Sequence, residues 1–311
     1  MPSSPVDQGA GADPLLGVLE QGRRQFLALV ADIRPELLRY CARMTGAVAD
    51  GEDVVQETLA RAYYELSQLA ELPPLRPWLF RIAHNRAVDH RRHESYRAGE
   101  PLEAAEAVAD TDALEPENAL AQRQAVGAAL SCFLVLAPAQ RACVILKDVL
   151  GHSLDEIAAE LELSVPAVKA ALHRGRAALQ QAAAVPAEAS HVGAVSPRLS
   201  HYAALFNAHD WDGVRALLAD DVRLDLVSQR KAAGRRAVAH YFGNYDRTPG
   251  WHLVPAWLDG REVLAVTADG ESRSPRYFIE LGWLGEQVTA IRDFRYVPGI
   301  AGECSLVFAR R

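Results

Sequence analysis

The chain is 311 residues long and half apolar, with 33 basic against 40 acidic residues and a net charge of -7. That length gives room for two or three domains with real cores. The acidic balance excludes a protein that coats nucleic acid indiscriminately, so any nucleic-acid contact must come from local basic patches. Four scattered cysteines (Cys41, Cys132, Cys143, Cys304) make no C-x-x-C or Cys/His pattern, which points to reduced thiols and no zinc finger. No run is apolar enough to span a membrane, and the opening MPSSPVDQGAGADP lacks the basic and apolar regions of a secretory signal; a cytoplasmic protein with no membrane partner is expected.

In chain order, residues 1–13 read as a disordered tail and 14–97 as a helical domain. Phe26, Leu29, Val30, Ile33, Leu37 and Leu38 are spaced for one amphipathic helix kinked at Pro35. Further helices are expected at 50–69 and 75–93. Residues 98–118 form an acidic linker: GEPLEAAEAVADTDALEPEN carries seven acids and no base. A second helical domain covers 119–184, and an Ala/Pro/Ser-rich linker covers 185–197. From 198 to 311 the texture is α+β. Helical segments at 199–208 and 211–219 precede alternating runs DVRLDLV, WHLVPAWL, REVLAVTA, RYFIELGWL and VTAIRDFRYV. Asp259-Gly260 and Asp269-Gly270 suit hairpin turns. The fold class is thus multidomain: two all-α units followed by an α+β unit.

The most informative stretch is SVPAVKAALHRGRAAL, residues 164–179, which reads as the second helix of a helix-turn-helix. Before it, Ser153 and Glu156 open GHSLDEIAAEL as a capping box, with Ile157, Ala158 and Leu161 at helical spacing. After the turn Glu162-Leu163, Ser164 is a second N-cap with Pro166 tolerated in the first turn. Val168, Leu172 and Leu179 face inward; Lys169, His173, Arg174 and Arg176 lie off that face. A short, basic, capped second helix suits a major groove.

Two earlier helices also carry chemistry. In GEDVVQETLARAYY, residues 51–64, acids Glu52, Asp53 and Glu57 flank Gln56. On spacing alone a solvated helix face is the better reading than a protein-docking surface. In RPWLFRIAHNRAVDHRRH, residues 76–93, five arginines outnumber the single acid Asp89, with Trp78 and Phe80 among them. Basic side chains attract phosphate and aromatics stack on unpaired bases; Trp78 reads more readily as core, the arginine cluster as nucleic-acid binding.

These blocks together resemble bacterial RNA polymerase sigma factors of the extracytoplasmic-function (ECF) group, over roughly residues 24–182. DGEDVVQETLARAYY resembles the family's region 2.2, which binds the clamp helices of the β′ subunit. PWLFRIAHNRAVDHRRH resembles regions 2.3 and 2.4, which open and read the minus-ten element. LAPAQRACVILKDVLGHSLDEIAAELELSVPAVKAALHRGRAAL resembles region 4, which reads the minus-thirty-five element. The resemblance implies polymerase binding by Asp53, Gln56 and Glu57. It implies minus-ten contacts by Trp78, Arg81, Asn85, Asp89, Arg91 and Arg92, and minus-thirty-five contacts by Ser164, Lys169, His173, Arg174 and Arg176. The implied partners are the polymerase core, through the β′ clamp and β flap, promoter DNA and an anti-sigma factor. The acidic linker resembles the segment that threads the polymerase's RNA path. Two positions depart from the family. Glu162 stands where Gly is usual, at about 1 kcal/mol if the residue is left-handed. Gly175 stands where Ala is usual, at roughly 0.5–1 kcal/mol within a helix.

Minimal members of the group stop near residue 185, and the segment that follows here resembles the SnoaL-like fold, a curved sheet forming a cone. Family members with this domain are thought to be regulated in cis; those with a Gly-rich signature after the first strand differ from SQRKAAG, residues 228–234. Candidate lining residues are Tyr202, Trp211, Trp251, His252, Trp257, Tyr277 and Asp293. An Asp in an apolar pocket can act as a base, and the cone also suits a small-molecule ligand. A structural and regulatory domain, with no enzyme activity and no cofactor or metal, is the preferred expectation. The rivals are a ligand-sensing helix-turn-helix factor that works without polymerase, and a sigma factor whose cone turns over a metabolite.

Overall fold

A computed structural model describes residues 14–66, 68–69, 71–98, 130–184, 194–247, 250–268, 274–304 and 306–308. The expected tail, residues 99–118 of the acidic linker, 185–193 of the second linker and the expected Asp269-Gly270 turn lie outside them.

Four helices open the fold: α1 (Pro14–Leu29), α2 (Arg34–Thr45), α3 (Val48–Leu66) and α4 (Leu75–Ala98). The single kinked helix expected around Pro35 is instead two helices. Pro35 sits in the first turn of α2, where its missing N–H costs nothing, and the chain turns through residues 30–33 just before it. Gly46 ends α2 in a left-handed conformation (φ 88°), its N–H bonded to the Ala42 carbonyl at 2.8 Å. Helices α2 and α3 then cross closely. A Cβ on Gly51 would stand 2.5 Å from the Ala42 backbone, so only glycine permits this approach. Leu37, Leu38, Val54, Val55, Leu79 and Phe80 fill the core between the helices, each buried side chain contributing about 1.5–3 kcal/mol.

A 3-10 turn (Leu130–Val135) leads into α5 (Pro138–Val144), which continues as one π turn over Ile145–Val149. The helix-turn-helix follows: α6 (Leu154–Leu161) and α7 (Val165–Ala184). Its capping box is present, with Glu156 N–H donating to Ser153 Oγ at 3.2 Å and Ser153 N–H to Glu156 Oε2 at 2.7 Å. Glu162 is left-handed (φ 55°, ψ 42°), the conformation usually given to glycine. Gly175 has a packing reason that the sequence concealed. A Cβ there would lie 2.8 Å from Val144 Cγ2, because α7 crosses α5 at this residue.

The C-terminal unit is a seven-stranded sheet in the order β2-β1-β6-β5-β4-β3-β7. Its strands are β1 (Leu218–Leu226), β2 (Arg230–Ala233), β3 (His252–Leu258), β4 (Arg261–Thr267), β5 (Tyr277–Leu284), β6 (Gln287–Asp293) and β7 (Val307–Phe308). Helices α8 (Pro197–Asn207), α9 (Trp211–Ala216) and α10 (Arg235–Arg247) pack on it, and a short α11 (Ile300–Glu303) follows β6. Strands β1 and β6 run parallel, with Leu224 opposite Ile291; the other pairs are antiparallel. Register shifts between Leu218 and Arg223, and between Gly282 and Trp283, bend the sheet, which forms the body of the cone expected here. The β3–β4 hairpin turns on Asp259 (φ 51°) and Gly260 (φ 77°), the paired positive angles that make Asp-Gly the favoured two-residue turn. Asn207 ties α8 to the sheet by exchanging hydrogen bonds with the Leu253 backbone at 2.9 Å.

Candidate nucleic-acid interface

Helix α4 is 24 residues long, and it divides its side chains cleanly. Leu79, Phe80, Ala83 and Ala87 face the core, while Arg81, Asn85, Asp89, Arg92 and His93 are exposed along the opposite edge. Arg91 is half-buried and donates to Glu94 at 3.1 Å. Trp78 departs from the minus-ten set. It is 6% exposed, packed in the helical core, so its indole has no face to offer a base. An exposed aromatic does exist on the same helix: Tyr96 is 83% exposed, beside Arg97. Its position at the end of the arginine-rich stretch was the available signal, and the sequence reading missed it.

On α7, Ser164 and His173 are exposed and Lys169 and Arg174 half-buried. The Ser164 hydroxyl accepts from the Ala167 N–H at 3.3 Å, as an N-cap does. Val168, Leu172 and Leu179 are buried on the inner face. Arg176 is committed inward. Its guanidinium donates twice to the buried Asp148 carboxylate, at 2.9 and 2.5 Å, and so ties α7 to the extension of α5. Lys169, His173 and Arg174 are the members of the expected groove-facing set that lie outside this ion pair.

The α3 set has a different setting. Asp53 accepts from Arg292 Nη2 of β6 at 2.6 Å, and Arg292 also reaches Glu280 at 3.0 Å. Gln56 donates to Glu52 at 2.6 Å and to Ser228 Oγ at 2.5 Å. Glu57 alone of the three is exposed. Glu52 is fully buried. Burial raises its pKa, while Arg34 at 2.5 Å opposes that rise. Ser228, left-handed at φ 71° in the β1–β2 turn, contacts Arg34, Glu52 and Gln56 together. At the start of the helix, Asp259 Oδ2 accepts from the Val48 N–H at 2.8 Å. A hairpin of the cone thereby caps α3 across the domain boundary. Arg261 grips Asp50 through both oxygens, at 2.7 and 2.6 Å. Between these contacts lies a cleft of about 850 Å³ whose walls include Asp53, Glu57, Arg86, Asp89 and Arg292. The cone thus covers α3 and one flank of α4.

Inside the cone, the candidate base is not free. Asp293 is fully buried; its Oδ2 accepts from the Tyr241 and Tyr245 hydroxyls at 2.7 and 2.8 Å, and its Oδ1 from the Arg295 N–H at 2.8 Å. Burial raises its pKa, and these hydrogen bonds work against the rise. The Tyr277 hydroxyl continues the network to Tyr245 at 3.0 Å. Tyr202 is buried core, Trp211 packs edge-on to Phe206, and His252 Nε2 lies 3.1 Å from Asn207 Nδ2. Trp251 lies beside Tyr277 with Arg295 over its ring, and Trp257 is half-buried on β3.

The arrangement of two helical units, the second ending in a helix-turn-helix, matches family models for Sigma-70 region 2 over residues 29–97 and Sigma-70 region 4 over residues 127–179. The chain is therefore a sigma-70-type protein. It is similar to the ECF RNA polymerase sigma factor SigL of Mycobacterium tuberculosis, 32% identical over 46% of this chain and 80% of that one. It also resembles SigG of the same organism, 34% identical over 67% of this chain, a match that spans 62% of SigG. A crystal structure of M. tuberculosis SigJ aligns over 90% of this chain and 99% of that one, at 21% identity and a TM-score of 0.34. The chain belongs to the ECF RNA polymerase sigma factors. Among the described residues, no helix is long and apolar enough to cross a membrane.

Proposed function

We propose that this chain directs core RNA polymerase to promoters from the cytoplasm, and that its cone domain restrains it in cis. Promoter reading is assigned to the exposed edge of α4 (Arg81, Asn85, Asp89, Arg92) and to Lys169, His173 and Arg174 of α7, with Ser164 as cap. Polymerase docking is assigned to Asp53, Gln56 and Glu57. The observation that carries the reading is the double use of α3. Two of its three docking candidates, Asp53 and Gln56, are already bonded to Arg292 and Ser228 of the cone. Cone and polymerase clamp are then alternative partners of one helix surface, and the cone acts as an inhibitor.

The second feature in favour of a resting form is the contact between the two readers. Arg81 of α4 pairs with Glu162 of the helix-turn-helix at 2.9 Å. Promoter elements about 25 base pairs apart are separated by roughly 85 Å of duplex. Helices in direct contact cannot read both at once, so the units must separate on the promoter.

No enzymatic role is assigned to the cone, since every oxygen of Asp293 has a donor from its own domain. An anti-sigma factor is a further candidate partner. The test is transcription in vitro with core polymerase, comparing the full chain with its Arg261→Ala/Arg292→Ala variant. The variant is expected to give at least tenfold more promoter-specific transcript. Specific DNA binding by the chain alone, with no response to core enzyme, would overturn the assignment in favour of a free transcription factor.

A further inference from the structure

Where the cone grips α3, an unusual set of side chains meets. His90 and Glu94 stand four residues apart on one face of α4, and Asp50 projects from the first turn of α3. Their nitrogen and oxygen ligand atoms all lie within 4.8 Å of one another. A tetrahedral divalent ion with ligands at about 2.0–2.2 Å needs donor atoms roughly 3.4 Å apart. No pair of these atoms has to close by more than about 1.4 Å to reach that distance. His90 Nε2 is buried without a hydrogen-bond partner, and lies 3.8 Å from Glu94 Oε1. A buried imidazole nitrogen left unpaired costs free energy, which a ligand at this point recovers.

A positive charge already occupies the cluster. The Arg261 guanidinium lies against both oxygens of Asp50 and 4.0 Å from Glu94 Oε1. Asp50, then Glu280 and Glu94, hold that guanidinium firmly in its charged form. Arg261 comes from the far side of the domain boundary, just after the Asp259-Gly260 turn of the cone. When the hairpin leaves, two carboxylates and an imidazole face one another, and the cation that remains is Arg91, on the Oε2 side of Glu94 at 3.1 Å, which leaves Glu94 Oε1 toward His90. Two carboxylates and an imidazole are the donor set of a divalent transition-metal site.

We propose that Asp50, His90 and Glu94 bind a divalent transition-metal ion of the zinc or cobalt kind, and that this ion and Arg261 are alternative occupants of the same place. An ion that binds only the undocked form shifts the chain toward that form by mass action, by the factor one plus its concentration over its Kd. The metal is thereby an activating ligand. This regulatory consequence rests on the inhibitory reading of the cone, whereas the binding site itself does not.

The test uses the tag-free full chain, titrated with Co²⁺ and followed by its visible absorption bands, with Zn²⁺ competition measured by calorimetry. Arg261→Ala is expected to tighten Co²⁺ binding at least tenfold relative to the unaltered chain. Adding His90→Ala or Glu94→Gln to that variant should weaken it at least tenfold. Should His90→Ala fail to fold, His90→Gln keeps the volume and gives the same readout. Equal affinity of Arg261→Ala and the unaltered chain overturns the proposal, as does unchanged affinity on loss of His90. No polymerase enters these titrations, so their outcome is separate from the cis-inhibition test, which is run with Mg²⁺ for the polymerase and no added zinc or cobalt.

Discussion

The two seams of this molecule are built from different materials. The seam between the first and second helical units is largely buried. Its centre is Arg141, 1% exposed, which donates across the seam to the Met44 carbonyl at 2.9 Å and, within its own unit, to the carbonyls of Phe133, Leu134 and Leu136 at 2.8–3.3 Å. Met44 lies in the last turn of α2, where the helix presents unsatisfied carbonyls and partial negative charge, so a guanidinium is well placed there. Leu134 also packs against Gly46. The seam between the first helical unit and the cone is ionic and partly open to water: Arg261–Asp50 and Arg292–Asp53 on α3, and Arg39 and Arg43 of α2 on Glu303. Arg261 and Arg292 are 45% and 25% exposed, so solvent reaches these pairs from the arginine side and salt weakens them. Two contacts with similar geometric reach thus differ in what opens them. Charge and salt act directly on the cone contact, whereas opening the Arg141 seam strips a buried guanidinium of its Met44 partner and exposes the Leu134–Gly46 packing.

The largest effect is expected at the buried seam. Arg141→Ala strands four carbonyls in the interior and should cost about 3 kcal/mol, read as a fall of several degrees in Tm. If it left Tm unchanged, the contrast between the seams would fail. Next, Gly175→Ala tests the packing beneath that seam. Helix propensity favours alanine, yet the Cβ would meet buried Val144, and overpacking of about 1–3 kcal/mol should win; a denaturant midpoint that rises would contradict this. At the ionic seam the expected effects are smaller and local. Asp259→Gly keeps the left-handed turn but removes the cap on Val48, weakening cone docking by about 1 kcal/mol. Faster hydrogen exchange at the Val48 amide, with no change in global Tm, is the expected signature. Smallest of all, Glu162→Gly relieves a left-handed non-glycine residue worth about 1 kcal/mol and loses only an exposed ion pair. A Tm raised by a degree or two is expected, and a fall would show that the Arg81–Glu162 contact matters more than its exposure suggests.

Much of this architecture is legible in the sequence because local rules agree with one another. The capping box of Ser153 and Glu156, the inward set Val168, Leu172 and Leu179, and the five alternating strand runs occupy their expected places, the last run only as far as Asp293. What escaped detection has no local pattern. Strand β2 is RKAA, almost wholly exposed, and forms only because β1 supplies its ladder. Helix α10, RRAVAHYFGNYDR, mixes polar residues with the tyrosines that satisfy Asp293. The α3 acids read as a solvated face because their partners are remote in sequence; Asp50 and Arg261 stand 211 positions apart. For the same reason Asp50 showed no link to His90 and Glu94, since helix pairing alone brings them together. Arg176 illustrates the converse. Its place on a basic helix suggested DNA, and only the fold shows Asp148 beneath it.

The central claim is that the cone and core RNA polymerase compete for α3. Its most direct test is the affinity of core enzyme for the full chain and for Arg261→Ala/Arg292→Ala, measured at low and at raised salt without DNA. The account predicts at least tenfold tighter binding by the variant at low salt, with the gap narrowing as salt loosens the ionic seam of the unaltered chain. Equal affinities at low salt, or weaker binding by the variant, would contradict it and make the cone a part of the polymerase-binding surface.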